Sequence, residues 1–303
     1  MELKQNEASL TAIVSAFSRA YHVKEDYPVI FSDTFAQYFL TDEEYMAVSQ
    51  NMTRGIQFFS SETAKKLKDE EALKWVNQIQ LSPTPLARAA FAEQVVLHEI
   101  ELGAKQYVIL GAGFDTFAWR YKGSSISIYE VDHPTTQLLK RKRLTAANLP
   151  LPNYLTFVPM DFIKEKTIDS LIARGFDPSK KTVFSLLGVT YYLTKEALEQ
   201  LFLTLFKVLP PGSSIIFDVA DERLFTEAGI FNRVQHMIQM AATSGEPMQF
   251  CTSIKQLEQM LVNADLLIYE HLSPQDIQNR FFANRDDDLQ AFETIHYIHA
   301  VKK

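Results

Sequence analysis

Two textures of hydrophobic patterning divide the 303-residue chain. Up to about residue 104, apolar positions recur three and four apart with charge between them, as across 8–21 and 84–102, which is the period of amphipathic helices. This part contains no convincing strand run. Tyr27-Pro28 and Leu81-Ser82-Pro83-Thr84-Pro85 interrupt it, which predicts separate helices, with Ser82 or Thr84 capping the last. From residue 105 the pattern changes to short β-rich runs, at 106–110, 125–131, 155–159, 182–187, 214–219, 265–271 and 294–301, alternating with helical stretches. Such alternation predicts parallel βαβ units with right-handed crossovers. The last two runs enclose a polar, irregular stretch at 273–289 and are expected to pair antiparallel. The predicted fold class is α/β, a doubly wound, seven-stranded, mostly parallel sheet with an N-terminal helical cap. Residues 1–104 form the cap region and 105–303 the core, as one compact unit.

The first and second strands carry the candidate chemistry. Tyr107-Val108-Ile109-Leu110 runs into Gly111-Ala112-Gly113, where the backbone must turn sharply and a ligand can approach without a Cβ in the way. The second run ends in Glu130-Val131-Asp132, about twenty residues on, the spacing at which a carboxylate accepts hydrogen bonds from ribose hydroxyls. Glu130 and Asp132 alternate along one strand, so they share a face and either suits that role. Asp132 also suits a capping role before the helix that starts at His133-Pro134, and His133 reads as part of that helix start. Asp161 closes the third strand, where it can meet an adenine amino group with Phe162 as an apolar wall. A nucleoside cofactor is implied. Thr116 replaces the third glycine of a dinucleotide fingerprint, and Asp115 stands where a pyrophosphate would need a helix N-terminus free of negative charge, which disfavours a nicotinamide oxidoreductase. A carboxylate there is compatible with a sulfonium ligand carrying an α-amino group.

Composition narrows the partners. The net charge of -7 argues against an electrostatic nucleic-acid footprint. The one basic cluster, Lys140-Arg141-Lys142-Arg143, reads as a solvated helix face, and Arg285-Asp286-Asp287-Asp288 as an exposed loop rather than a metal site. The single cysteine, Cys251, excludes an internal disulfide framework and reads as a small buried or half-buried residue. No apolar run approaches a membrane span and the first residues carry no leader pattern, so a cytoplasmic protein with no membrane partner and no metal is expected.

The order of motifs resembles the leucine carboxyl methyltransferase family, including its bacterial branch similar to polyketide O-methyltransferases. The resemblance runs through Leu110 to Thr116 with Trp119-Arg120, Tyr129-Glu130-Val131-Asp132-His133-Pro134 with Lys140 and Arg143-Leu144, and Val158 to Phe162. It continues through Gly188-Val189-Thr190-Tyr191-Tyr192-Leu193-Thr194 and Gly245-Glu246-Pro247 with Phe250. Arg19-Ala20, Asp33 to Leu40 and Ala87-Arg88 resemble the family's helical cap. The resemblance implies a class I, Rossmann-like methyltransferase fold that binds S-adenosylmethionine. It also implies site roles: Arg88 on the methionine carboxylate, Gly111, Ala112 and Gly113 along the methionine side, Asp132 with Glu130 on the ribose, and Asp161 with Phe162 on the adenine. Leu187 stands where family members commonly carry a glutamate that contacts the cofactor region.

Methyl transfer from a sulfonium is an in-line displacement that depends on holding the acceptor close and aligned. A carboxylate acceptor is already ionised near neutrality, whereas a phenol or alcohol needs a general base. Tyr191 and Tyr192 follow the fourth strand, and the family match favours Tyr192 for the acceptor pocket. The function expected is S-adenosylmethionine-dependent O-methylation of a carboxylate or phenolic oxygen, with a small-molecule acceptor ahead of a protein C-terminal carboxylate and nucleic acid disfavoured. A cofactor-binding sensor or scaffold without turnover is the alternative that Leu187 keeps open.

Overall fold

The computed structural model describes residues 10–123, 125–161 and 167–303. Seven strands, β1 (Gln106–Leu110), β2 (Ser127–Asp132), β3 (Leu155–Pro159), β4 (Thr182–Leu186), β5 (Ser214–Ala220), β6 (Leu266–Leu272) and β7 (Ile295–Lys302), form one sheet in the order β3-β2-β1-β4-β5-β7-β6. The first five pair in parallel, and β7 runs antiparallel between β5 and β6. All seven predicted strands are present, with ends shifted by up to two residues, and the antiparallel end is as expected.

The described helices are α1 (Leu10–Glu25), α2 (Asp42–Phe59), α3 (Thr63–Lys66), α4 (Asp69–Val76), α5 (Pro83–Glu101) and α6 (Phe117–Arg120). They continue as α7 (Pro134–Ala146), α8 (Thr167–Ile172), α9 (Lys195–Phe206), α10 (Arg233–Thr243), α11 (Ile254–Asn263) and α12 (Pro274–Phe281). Both faces of the sheet are covered, which explains why β1 reads as a continuous apolar run. Tyr107 and Ile109 point to one face, where they share a buried cluster with Leu86, Phe91 and Val95 of α5. Val108 and Leu110 point to the other, against Phe202 and Phe206 of α9. Each such buried Leu or Phe contributes about 1.5–3 kcal/mol of transfer free energy.

Several sequence expectations are corrected. The proline-rich break at 81–85 does not separate two capped helices: α4 passes through a π-helical turn, Asn77–Leu81, directly into α5. Ser82 there is helical and its side chain caps nothing, its hydroxyl instead accepting a hydrogen bond from Ser18 at 3.1 Å. The stretch taken as irregular between the last two strands contains α12, begun by a capping box between Ser273 and Asp276. The basic cluster is not a solvated face throughout. Lys140 is fully buried on Glu130 at 2.6 Å, and Arg143 reaches Glu44 of α2 at 2.6 Å, so this helix joins sheet to cap while Arg141 and Lys142 remain exposed. The 285–288 loop is docked, with Arg285 donating to Asp287 at 2.9 and 2.6 Å and to the Pro28 carbonyl at 2.6 Å. Among the described residues no cluster of three metal-ligating side chains occurs, and no helix is long and apolar enough to cross a membrane. Cys251 is half-buried and unpaired, and burial pushes its thiol up.

Candidate functional site

A cavity of about 560 Å³, in the size range of nucleoside-binding clefts, opens beyond the carboxyl ends of β1, β2 and β4. The sheet order reverses between β1 and β4, and a crevice forms at such a switch point because the two flanking crossovers leave in opposite directions. Arg88, Gly111, Ala112, Gly113, Asp132, Asp161, Leu187 and Tyr192 all line it. Glu130 does not, and Phe162 lies outside the described residues.

The glycine turn continues the β-ladder for two more residues, Gly111 and Ala112 both donating to the Val131 carbonyl at 2.9 and 3.1 Å. Gly111 has φ +68°, and a Cβ there would stand 2.6 Å from Val189 Cγ2, so the turn packs against the β4 loop too closely for a side chain. Gly113, at φ +49°, faces Ala12 of α1, which closes the cap over the turn. Its N–H donates to Asp132 Oδ2 at 2.5 Å, and the His133 N–H donates to Oδ1 at 2.6 Å. Asp132 therefore locks the ends of β1 and β2 together while its carboxylate borders the cavity; burial pushes its carboxyl up despite those two donors. The cap of α7 is the His133 ring, which accepts from the Thr135 N–H at 3.4 Å, rather than Asp132.

The expectation that Glu130 shares the ribose role is corrected by depth, not by facing. Glu130 sits one pleat further into β2 beneath α7, fully buried on Lys140, whose Nζ also donates to the Asp115 carbonyl at 2.6 Å. Burial pushes the Glu130 carboxyl up to about 7 against the pull of Lys140, and among the described residues its Oε1 has no hydrogen-bond partner. This ion pair anchors α7 and the glycine turn and does not line the cavity.

Arg88 is not a surface helix charge. It extends from α5 to the end of the sheet, where Nη1 donates to Asp218 Oδ2 at 3.0 Å. Asp218 is fully buried in β5 and also accepts from the Gly188 N–H at 2.6 Å and the Tyr191 hydroxyl at 2.5 Å. Burial is the largest single influence and works against the guanidinium, but the Asp218 charge and hydrogen bond together with Tyr191 and Tyr297 outweigh it and hold Arg88 more firmly protonated. Gly188, at φ +69°, lies against the guanidinium, where a Cβ would be 2.5 Å from Nη1. Tyr191 and Tyr192 are in a 3-10 turn rather than an extended run. They still diverge: Tyr191 is buried on Asp218, and Tyr192 faces the cavity, where burial and then the Glu246 charge push its phenol up to about 12.

Sequence reasoning assigned no site role to a second cluster at the cavity wall. Arg19 donates to Asp33 at 2.8 Å and to the Phe114 carbonyl at 2.7 Å, while Arg120 pairs with Glu93 and donates to Thr116 at 2.9 Å. Arg120 also stacks 4.6 Å above the Phe31 ring. Asp218 was missed too, although a carboxylate within Ile215-Ile216-Phe217-Asp218-Val219 is a visible anomaly in a buried strand.

A family model described as leucine carboxyl methyltransferase matches residues 12–206. YktD of Bacillus subtilis (strain 168), provisionally named an S-adenosyl-L-methionine-dependent methyltransferase, is 55% identical over 99% of this chain and 100% of its own. A similarly named Mycobacterium marinum protein is 28% identical over 78% of this chain and 73% of its own. The crystal structure of a duf574 family protein from Streptomyces avermitilis has the same fold, with TM-score 0.61 at 13% identity and 99% of each chain covered. With its sheet order, its glycine turn and a family model matched across most of its length, the chain belongs to the leucine carboxyl methyltransferase family of S-adenosylmethionine-dependent methyltransferases.

Proposed function

We propose that this protein transfers the methyl group of S-adenosylmethionine to an oxygen, a carboxylate or a phenol, of a small molecule. The observation that carries the reading is the convergence of Arg88, the glycine turn and Asp132 on one cavity at the switch point. The residues present fit the cofactor: the turn excludes side chains, a guanidinium suits a bidentate grip on the amino-acid carboxylate, and a cavity rich in carboxylates suits a sulfonium. When bound, the cofactor supplies an electrophilic methyl group on a good leaving group. Arg88, fixed by Asp218, orients the amino-acid end. Asp132 accepts from the ribose, and Asp161 borders the adenine end. Leu187 and Tyr192 wall the side from which an acceptor approaches, so it can be held in line with the departing sulfur.

Thr116 supports the choice over a nicotinamide cofactor. It is buried, with its hydroxyl on Arg120, where a pyrophosphate site would require a glycine. The test is transfer of label from methyl-labelled S-adenosylmethionine to a panel of carboxylic acids and phenols. Oxygen-linked product with stoichiometric S-adenosylhomocysteine is expected; label found only on nitrogen or carbon would contradict the reading.

A further inference from the structure

The charges around the cavity are unequal: six carboxylates, of Asp33, Glu93, Asp115, Asp132, Asp161 and Glu246, face three guanidiniums, of Arg19, Arg88 and Arg120. All three guanidiniums are already engaged, Arg19 with Asp33, Arg120 with Glu93 and Arg88 with Asp218. With Arg88 given to the cofactor's carboxylate, an anionic acceptor would meet a wall in which carboxylates outnumber guanidiniums. Of these carboxylates Asp33 and Glu93 are paired with the guanidiniums, and Glu246 is not. Its Oε2 accepts from the Thr11 hydroxyl at 3.0 Å, and among the described residues it has no ion pair. It lies on the loop after α10, which is fastened to the turn following β4 by the Gln249 N–H on the Tyr191 carbonyl at 2.8 Å. The carboxylate is thereby set on the Tyr192 side of the cavity and, through Thr11, against α1.

Resting on the methyltransferase reading above, we propose that the acceptor is a neutral hydroxyl, phenolic or alcoholic, and that Glu246 is its general base. As the acceptor oxygen attacks the methyl carbon in line, the O–CH3 bond forms and the S–CH3 bond breaks with its electron pair passing to sulfur. The hydroxyl proton goes to the Glu246 carboxylate, leaving a methyl ether, S-adenosylhomocysteine and a protonated Glu246 that then loses its proton to water. A carboxylic acid acceptor, ionised near neutrality, would need no such base and would be repelled by it.

The test incubates the protein with methyl-14C S-adenosylmethionine and a panel of phenols, alcohols and carboxylic acids, then treats the product with mild base. Methyl esters release volatile labelled methanol; methyl ethers do not. Base-stable product is expected. Glu246→Gln should bind S-adenosylmethionine within about twofold of wild type, transfer label roughly 100-fold more slowly, and lose the acidic limb of the kcat–pH profile. Base-labile product, transfer by Glu246→Gln at the wild-type rate, or cofactor binding without any labelled product would each overturn the proposal. So would loss of cofactor affinity in Glu246→Gln, which would make the carboxylate an anchor for the cofactor's ammonium group. Wild-type protein that fails to bind S-adenosylmethionine would instead overturn the underlying reading.

Discussion

At the scale of single residues, the site is held by buried charges, of which Arg19, Lys140 and Asp218 bind backbone as well as a charged partner. Gly188 is the tightest point. Its left-handed φ and the guanidinium 2.5 Å from where a Cβ would stand leave no room for a methyl group. Gly188→Ala is therefore expected to displace Arg88 and lower S-adenosylmethionine affinity about tenfold or more, an effect of about 1.4 kcal/mol, read by calorimetry; unchanged affinity would remove Arg88 from the cofactor's grip. Glu130 and Lys140 make a different prediction, because their pair is fully buried. Lys140→Met, which strands a buried carboxylate, should destabilise by about 3 kcal/mol, and adding Glu130→Gln should restore much of it. The pH dependence follows in sign. The Glu130 carboxyl is raised from 4.5 to about 7, so its favourable contribution is complete below about 4.5 and is lost as pH rises to about 7. Urea midpoints measured across that window should decline in wild type, and the decline attributable to this group should vanish in Glu130→Gln. What the sequence showed here was facing but not depth. Alternation put Glu130 and Asp132 on one face, yet only Asp132 reaches past the end of α7 to the cavity, and nothing in the strand pattern reports which carboxylate a following lysine will cover.

At the scale of elements, strongly periodic segments were legible and short or unusual ones were not. The α1 and α5 amphipathic patterns and the seven strand runs were readable because burial on one or both faces imposes their period. The π-helical turn at Asn77–Leu81 was not, since its extra residue breaks the period just where prolines suggest a stop. The α12 helix was missed for want of apolar residues, but Ser273-Pro274-Gln275-Asp276 is a serine, a proline at the first helical position and an acid three residues on, and could have been recognised. Ser273→Ala should cost about 1 kcal/mol of stability in chemical denaturation while leaving cofactor affinity unchanged, because α12 borders β6 and β7 rather than the cavity. The helix α1 carries more functional weight. Thr11, Ala12, Ser15 and Arg19 all face the cavity, and Arg19 ties this helix to the glycine turn through the Phe114 carbonyl.

At the scale of the whole molecule, the sheet order, the reversal between β1 and β4 and the carboxylates at strand ends together make a crevice for a nucleoside-bearing ligand. That the glycine turn, Asp132 and Asp161 border the crevice was legible because strand ends flank it in this fold, whereas the cavity's excess of carboxylates and the pairing of its arginines emerge only once the cap is folded onto the sheet. Calorimetric titration with S-adenosylmethionine, with NAD as control and Arg88→Ala and Asp132→Ala as variants, tests the central claim most directly. Micromolar binding of S-adenosylmethionine by the wild type, about 8 kcal/mol, is expected, with affinity lost in both variants and none for NAD. Wild-type protein that binds NAD, or binds neither compound, would contradict it.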